Sequence, residues 1–276
     1  MCEDVSQTMD SLVEYLLFEL KKRNMPTDEF RMEKLIFKIK MELGKDHELY
    51  PKLPFYWYLK GPYSEVVTES YEKKFHQMNS FKGGIEKDYP EICEISENIL
   101  KKRDYFVNKI DREIYKEYAP YKFMYIYKYE IFDVAKKCEI VDFDVEEYIY
   151  KIYVCEGNLP NDEYFFDFNT NIAKLSIYLE LIRKAENFEK YWEFLKNPIT
   201  LTWNTFAKGV RIYFKDDYYN NNVKLWDREF KNSLNQLSAL IKKTKTYINF
   251  DDYPKNNYTP KEVKILNSTI GSYLRG

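Results

Sequence analysis

Glycine, histidine and cysteine are scarce in this chain of 276 residues, at eight, two and four. Each scarcity removes a class of chemistry. With so few glycines there is no phosphate-cradling loop: Ser80-Phe81-Lys82-Gly83-Gly84 is too short and lacks the lysine-serine or lysine-threonine ending. Cys2, Cys93, Cys138 and Cys155 stand far apart in no CxxC spacing, so free thiols in a reducing compartment are expected rather than a disulfide frame or a structural zinc site. His47 falls in a loop and His76 near a helix end, and neither has a neighbour that would make it a general base. Long apolar runs are missing too. The cluster from Leu12 to Leu20 is interrupted by Glu14 and Glu19, no stretch can span a bilayer, and the N-terminus has no basic segment leading into an apolar one. The expected location is the cytoplasm, with no membrane partner.

What is abundant is aromatic. Aromatics make up 18% of the chain, with 27 tyrosines and 19 phenylalanines, enough to fill helix interfaces or to furnish a binding surface. Net charge is −2, but unevenly spread. Residues 1–200 carry 30 basic and 38 acidic side chains, a net of −8; residues 201–276 carry 13 and 7, a net of +6. The basic end can meet phosphate, an acidic partner or the acidic remainder of its own chain.

Periodicity predicts a mainly α protein with a small β-element. Met9, Leu12, Val13, Leu16, Leu17 and Leu20 mark a helix over 6–22. After Asn24-Met25-Pro26, Thr27 is the expected cap of a second helix that ends at Gly44, with Lys34, Lys38 and Lys45 on its solvent side. Phe55 to Lys60 reads as an aromatic extended segment, Gly61-Pro62 interrupts it, and Ser64 caps a third helix to about Met78. Gly83 and Gly84 are expected at the tip of a wing. One long helix is expected from Pro90 to Tyr118, then helices over 123–137, 145–155, 171–184 and 187–195, the last closed by Asn197-Pro198, followed by 201–213 and 222–248, with a short element over 266–274. A winged-helix-like module over 1–88 and a helical domain over 89–276 with a long amphipathic C-terminal helix follow as the expected organisation.

The stretch from Lys34-Leu35-Ile36-Phe37 through Phe55-Tyr56-Trp57-Tyr58-Leu59-Lys60-Gly61-Pro62-Tyr63-Ser64 resembles a broad group of prokaryotic proteins that includes SocA-like antitoxin (Panacea) domains and YwgA-like proteins. Lys34 and Leu35 match the start of that group's hydrophobic helix, and Gly61, Pro62, Tyr63 and Ser64 match the end of its aromatic strand. Lys60 stands where the antitoxin-like members usually carry tyrosine, and Lys38-Ile39-Lys40-Met41-Glu42 does not reproduce their tryptophan-bearing run. The likeness covers the first third of the chain. It implies a helical, winged-helix-like module engaged in protein recognition, toxin neutralisation or regulation, not a reaction.

The residues themselves leave two readings of the motif. Gly61-Pro62 and Ser64 turn a strand into a helix, and Phe55, Trp57 and Tyr63 clamp that corner; or Tyr56, Tyr58, Lys60 and Tyr63 form an exposed recognition patch. The acidic group Asp142, Asp144, Glu146 and Glu147 lacks the ligand spacing and turn glycine of a cation loop and reads as helix capping. No catalytic residue, metal ligand or cofactor is assigned, and the chain is expected not to be an enzyme. A protein-binding role is the leading expectation, with the hairpin aromatics and the helix over 222–248 at the partner surface. The alternatives are DNA or RNA binding, which needs Arg31, Lys34, Lys38, Lys60, Lys73 and Lys74 on one face or a stripe over 202–276, and a metal-dependent hydrolase, which needs carboxylates or histidines converging in a cleft.

Overall fold

The structure, a computed structural model, describes residues 2–76, 84–137, 144–183 and 188–247. The chain is mainly α-helical with one small two-stranded β-element. Helix α1 (Cys2–Lys22) buries the stripe expected of it, from Met9 to Leu20. Asn24 takes a left-handed φ of 51° at the reversal, a conformation asparagine tolerates. Helix α2 (Glu29–Leu43) follows. Its cap is Asp28, not the expected Thr27: the Asp28 carboxylate accepts the Arg31 N–H at 3.1 Å, and the Thr27 carbonyl accepts the Tyr71 hydroxyl instead. Gly44, at φ 79°, ends the helix as expected.

Helix α2 departs from its predicted amphipathic form. Every residue from Met32 to Lys40 is buried, so Lys34 and Lys38 do not lie on a solvent face. Each lysine runs its aliphatic stem through the core and delivers its ammonium group to a different wall. Lys34 Nζ donates to the Pro62 carbonyl at 2.9 Å. Lys38 Nζ reaches Glu117 at 2.7 Å and the Tyr118 hydroxyl at 2.8 Å. Lys40 Nζ donates to the Leu53 carbonyl at 2.8 Å and to Asp216 at 2.5 Å.

Strands β1 (Tyr56–Tyr58) and β2 (Gly61–Tyr63) form an antiparallel hairpin, with Tyr56 opposite Tyr63, Trp57 opposite Pro62 and Tyr58 opposite Gly61. The strand pairing with β1 is therefore two residues away. At the expected wing tip, Gly83 lies outside the described residues, and Ile85–Asp88 is a turn of helix, α4, rather than a strand. Ser64 caps α3 (Glu65–Phe75) as predicted, its hydroxyl accepting the Val67 N–H.

The long helix expected from Pro90 is broken. Helix α5 (Pro90–Leu100) gives way at the charged run 101–104, where Arg103 donates to the carbonyls of Arg23 and Asn24, and a π-helical turn (Tyr105–Lys109) leads into α6 (Ile110–Tyr118). Next come α7 (Lys122–Ile126), a π-helical segment (Tyr127–Phe132) and α8 (Asp133–Lys137). Helix α9 (Val145–Glu156) is capped by Asp144, a member of the acidic group, and α10 (Phe166–Arg183) follows the loop.

Helix α11 (Phe188–Tyr213) corrects the stop expected at Asn197-Pro198: it runs through the proline. Buried Leu195, Ile199 and Trp203 hold both sides of the lost backbone bond, and the Ile199 carbonyl accepts the Tyr127 hydroxyl at 3.0 Å. Helix α12 (Val223–Tyr247) lies along α11, and Gly209 makes that approach close, since a Cβ there would meet the rings of Phe165 and Phe230 within 2.8 Å. The element expected over 266–274 falls outside the described residues.

One buried apolar cluster runs from Val5 to Ile241. Within it α2 packs on α5 and α6, and β1 packs on α11, so side chains of 1–88 and 89–276 meet. Cys93 and Cys155 are free thiols, and burial pushes the Cys155 thiol up.

The Lys40–Asp216 pair tests how this core is held. Asp216→Ala leaves a buried ammonium with only the Leu53 carbonyl and the Phe55 N–H without its acceptor. It is expected to cost roughly 3 kcal/mol in urea unfolding, and Lys40→Met distinctly less, because that change removes the buried ammonium and leaves Asp216 partly exposed and still bonded to the Phe55 N–H.

Candidate functional site at the hairpin

The hairpin is held on all sides. The Trp57 N–H donates to the Phe214 carbonyl, the Asp216 N–H donates to the Phe55 carbonyl, and the Trp203 indole N–H donates to the Leu59 carbonyl at 3.1 Å. The chain after α11 thus covers the outer edge of β1. Strand alternation then sorts the aromatics. Trp57 turns inward, edge-on to Phe37 of α2 and to Tyr115 of α6, with Phe55 beside it on Phe37. Tyr56 turns the other way, into a second cluster with Tyr219 and Trp226, centroids 4.7 and 4.6 Å away.

Gly61 carries a φ of 90°, and a Cβ there would stand 3.0 Å from a Tyr115 ring carbon and 3.5 Å from Lys34 Nζ. Pro62 presents the carbonyl that Lys34 needs. Gly61, Pro62, Ser64 and Trp57 are therefore buried and build the corner; Tyr56 is buried as well, so of the expected exposed patch Tyr58 and Tyr63 are half-buried and only Lys60 is exposed, at the turn.

The outward side of the hairpin forms one wall of a cleft of about 500 Å³. The first turns of α2 contribute Glu29, Phe30 and Glu33, the hairpin Tyr56, Tyr58, Leu59, Lys60 and Tyr63, the start of α3 Glu65, and α11 Arg211. Glu33 is 4% exposed. One carboxylate oxygen lies 3.9 Å from Lys34 Nζ, and the other, Oε1, has no hydrogen-bond partner among the described residues. Burial pushes its carboxyl up to about 7; Lys34 opposes the rise, Glu29 adds to it, and the Ser64 N–H and Lys60 oppose it. Burial correspondingly lowers the Lys34 ammonium, against the pull of Glu33 and Asp111.

Across the cleft the Arg211 guanidinium stacks on Tyr58 at 4.8 Å and on Trp226 at 5.0 Å, and it is ion-paired to Glu229 of α12. Glu65 accepts the Tyr56 hydroxyl at 3.1 Å, and Glu29 accepts the Thr68 hydroxyl at 2.7 Å.

The residues named for nucleic-acid contact do not gather. Lys34 and Lys38 are buried. Arg31 is bound to Asp28 and to the Val107 carbonyl. Lys73 and Lys74 pair with Asp10 and Glu14 of α1. On α12, Lys231 pairs with Asp227, while Lys224, Arg228 and Lys242 are exposed. Its buried side faces α10 and α11. Among the described residues no three histidines, cysteines or carboxylates could hold a metal ion, and no helix is long and apolar enough to cross a membrane.

Sequence reasoning missed Glu33 and Arg211. Glu33 does carry a signal: it shares a helix row with Glu29, Phe37 and Lys40, so a face with aromatic and charged members was legible. Arg211 carries none, because only the tertiary fold brings it to the hairpin. Compared with known proteins, the chain matches no family model, no curated protein and no solved structure.

Two outcomes are expected. Gly61→Ala, forced into a left-handed φ against Tyr115, lowers stability by about 1–3 kcal/mol in urea unfolding. The Glu33 side-chain carbon titrates near pH 7 in carbon-detected NMR rather than near the usual 4.5. Because the folded value is raised, the protein binds that proton more tightly when folded. Its contribution is whole below pH 4.5 and is lost as pH rises through 7, so wild type loses stability relative to Glu33→Gln across that window.

Proposed function

We propose that the protein is a cytoplasmic, non-catalytic recognition protein whose hairpin cleft docks a segment of a partner protein. The observation that carries this reading is the cleft itself: an open, tyrosine-walled recess with a buried carboxylate oxygen that nothing in the chain bonds. Aromatic rings with a few placed polar groups are the chemistry of protein hot spots. The segment 1–88 supplies every wall but Arg211, so the N-terminal module is the recognition unit. The resemblance to antitoxin domains points to a toxin-like or regulatory protein as the partner.

The charge layout favours protein over nucleic acid. Three glutamates line the recess, and of the basic residues named for nucleic-acid contact in the first third, all but Lys60 at the turn are buried or paired. A phosphate backbone would meet repulsion there.

The test is site-specific photocrosslinking in native extract, with a photoreactive phenylalanine at Tyr58 or, for comparison, at Tyr150, exposed on α9 outside the cleft. A discrete protein adduct from position 58 and none from 150 is expected. Absence of that adduct, together with micromolar, steeply salt-dependent binding to duplex DNA or single-stranded RNA, would replace this reading with the nucleic-acid one.

A further inference from the structure

We infer that the cleft seats a cationic side chain of the partner, a guanidinium or alkylammonium group held between Tyr58 and Tyr63 and bonded to the Oε1 of Glu33. The inference rests on the protein-docking reading and names the chemistry of the residue that enters. Four features point the same way.

The first is the unpartnered acceptor. Glu33 is buried by more than nine-tenths, lines the cleft, and leaves Oε1 without a donor, so the group that completes it must be an N–H or O–H donor. The second is charge. With Glu33 set against the buried Lys34, Glu29 and Glu65 face the recess against Lys60, a surplus of one negative charge, since Arg211 is cancelled by Glu229. Glu29 and Glu65 each accept one hydroxyl, from Thr68 and Tyr56, and among the described residues neither has a lysine or arginine within ion-pair distance; Lys60 stands at an exposed turn.

The third is aromatic walling. Ring faces attract a cation most when it has shed its water, and the recess offers Phe30, Tyr58 and Tyr63 beside the carboxylates. The fourth is precedent within the molecule. The same rings already hold cations of the chain: Arg211 stacks on Tyr58, and Lys34 Nζ lies 4.8 Å from the centre of the Phe30 ring. An anionic or purely apolar side chain would leave Oε1 unbonded and would place like charge, or no charge, against the glutamates.

The experiment uses the full chain and three small probes at millimolar concentration: N-acetyl-arginine amide, N-acetyl-lysine amide and N-acetyl-glutamate amide. Binding is read from the ring signals of Tyr58 and Tyr63. Saturable shifts with one or both cationic amides, and none with the acidic one, are expected. Glu33→Gln should weaken that binding about tenfold, because the amide oxygen still accepts but carries no charge to face the cation. Glu65→Gln, at an exposed position that leaves the fold intact, should weaken it less but in the same direction, and Glu146→Gln on α9 should leave it unchanged.

Binding of the acidic amide in preference, equal binding by Glu33→Gln and Glu65→Gln variants that retain the wild-type fold, or no binding by either cationic amide overturns the inference. If cation binding fails while the Tyr58 crosslink persists, the protein-docking reading stands and only the cationic anchor falls. If both fail, the docking reading falls with it.

Discussion

The architecture depends on a helix whose nine central residues have no solvent face. Helix α2 is buried from Met32 to Lys40, and three of those nine residues are lysines. An ammonium group taken out of water costs several kcal/mol unless acceptors meet it. Each lysine is therefore a demand that a particular neighbour be in place: the Pro62 carbonyl for Lys34, Glu117 and Tyr118 for Lys38, Leu53 and Asp216 for Lys40. Apolar side chains in those positions would tolerate sliding. Ammonium groups do not, and they fix the hairpin, α6 and the chain after α11 at set places around α2. The arrangement trades stability for specificity of packing.

The hairpin inherits its position from that constraint and turns it into a surface. It is only three residues to a strand, too short to be stable alone. What holds it is Lys34 beneath, the 214–216 backbone along its edge and Trp203 at its turn. Strand periodicity does the rest. Successive aromatics must point to opposite faces, so the run that anchors Trp57 in the core also delivers Tyr56 and Tyr58 to the other side. Trp57 and Tyr58 thus lie on opposite faces of one strand, while Tyr56, on the face of Tyr58, is itself buried against Tyr219 and Trp226.

The sequence carried the parts of this that are local. Helical periodicity is a property of neighbours three and four apart, and so are the stops and caps at Gly44, Ser64 and Asp144; all three stand in the structure. What was illegible is what only the tertiary fold decides. Lysine reads as solvent-facing because its charge dominates the pattern, yet its four-carbon stem packs like an apolar residue when an acceptor waits at the end. Pro198 reads as a stop because the backbone bond it removes is a local loss, whereas the packing that outweighs it comes from distant Tyr127 and the buried side chains around Ile199. The cleft needed both kinds of information. Its tyrosines were visible in one short run; the pairing of that run with Glu33, Glu65 and Arg211 was not.

Glu33 is where the demands of folding are met incompletely. Asp111 Oδ1 and Arg211 Nε also lack a hydrogen-bond partner among the described residues, yet the chain satisfies three buried ammonium groups. Beside one of them it leaves a carboxylate oxygen with nothing to accept. The unbonded oxygen costs stability, while the ion pair with Lys34, 3.9 Å away, offsets part of the burial of both charges. That cost falls on a residue that also lines the cleft. A donor arriving from outside would remove it, and the free energy that folding leaves unspent at Glu33 would then appear as binding.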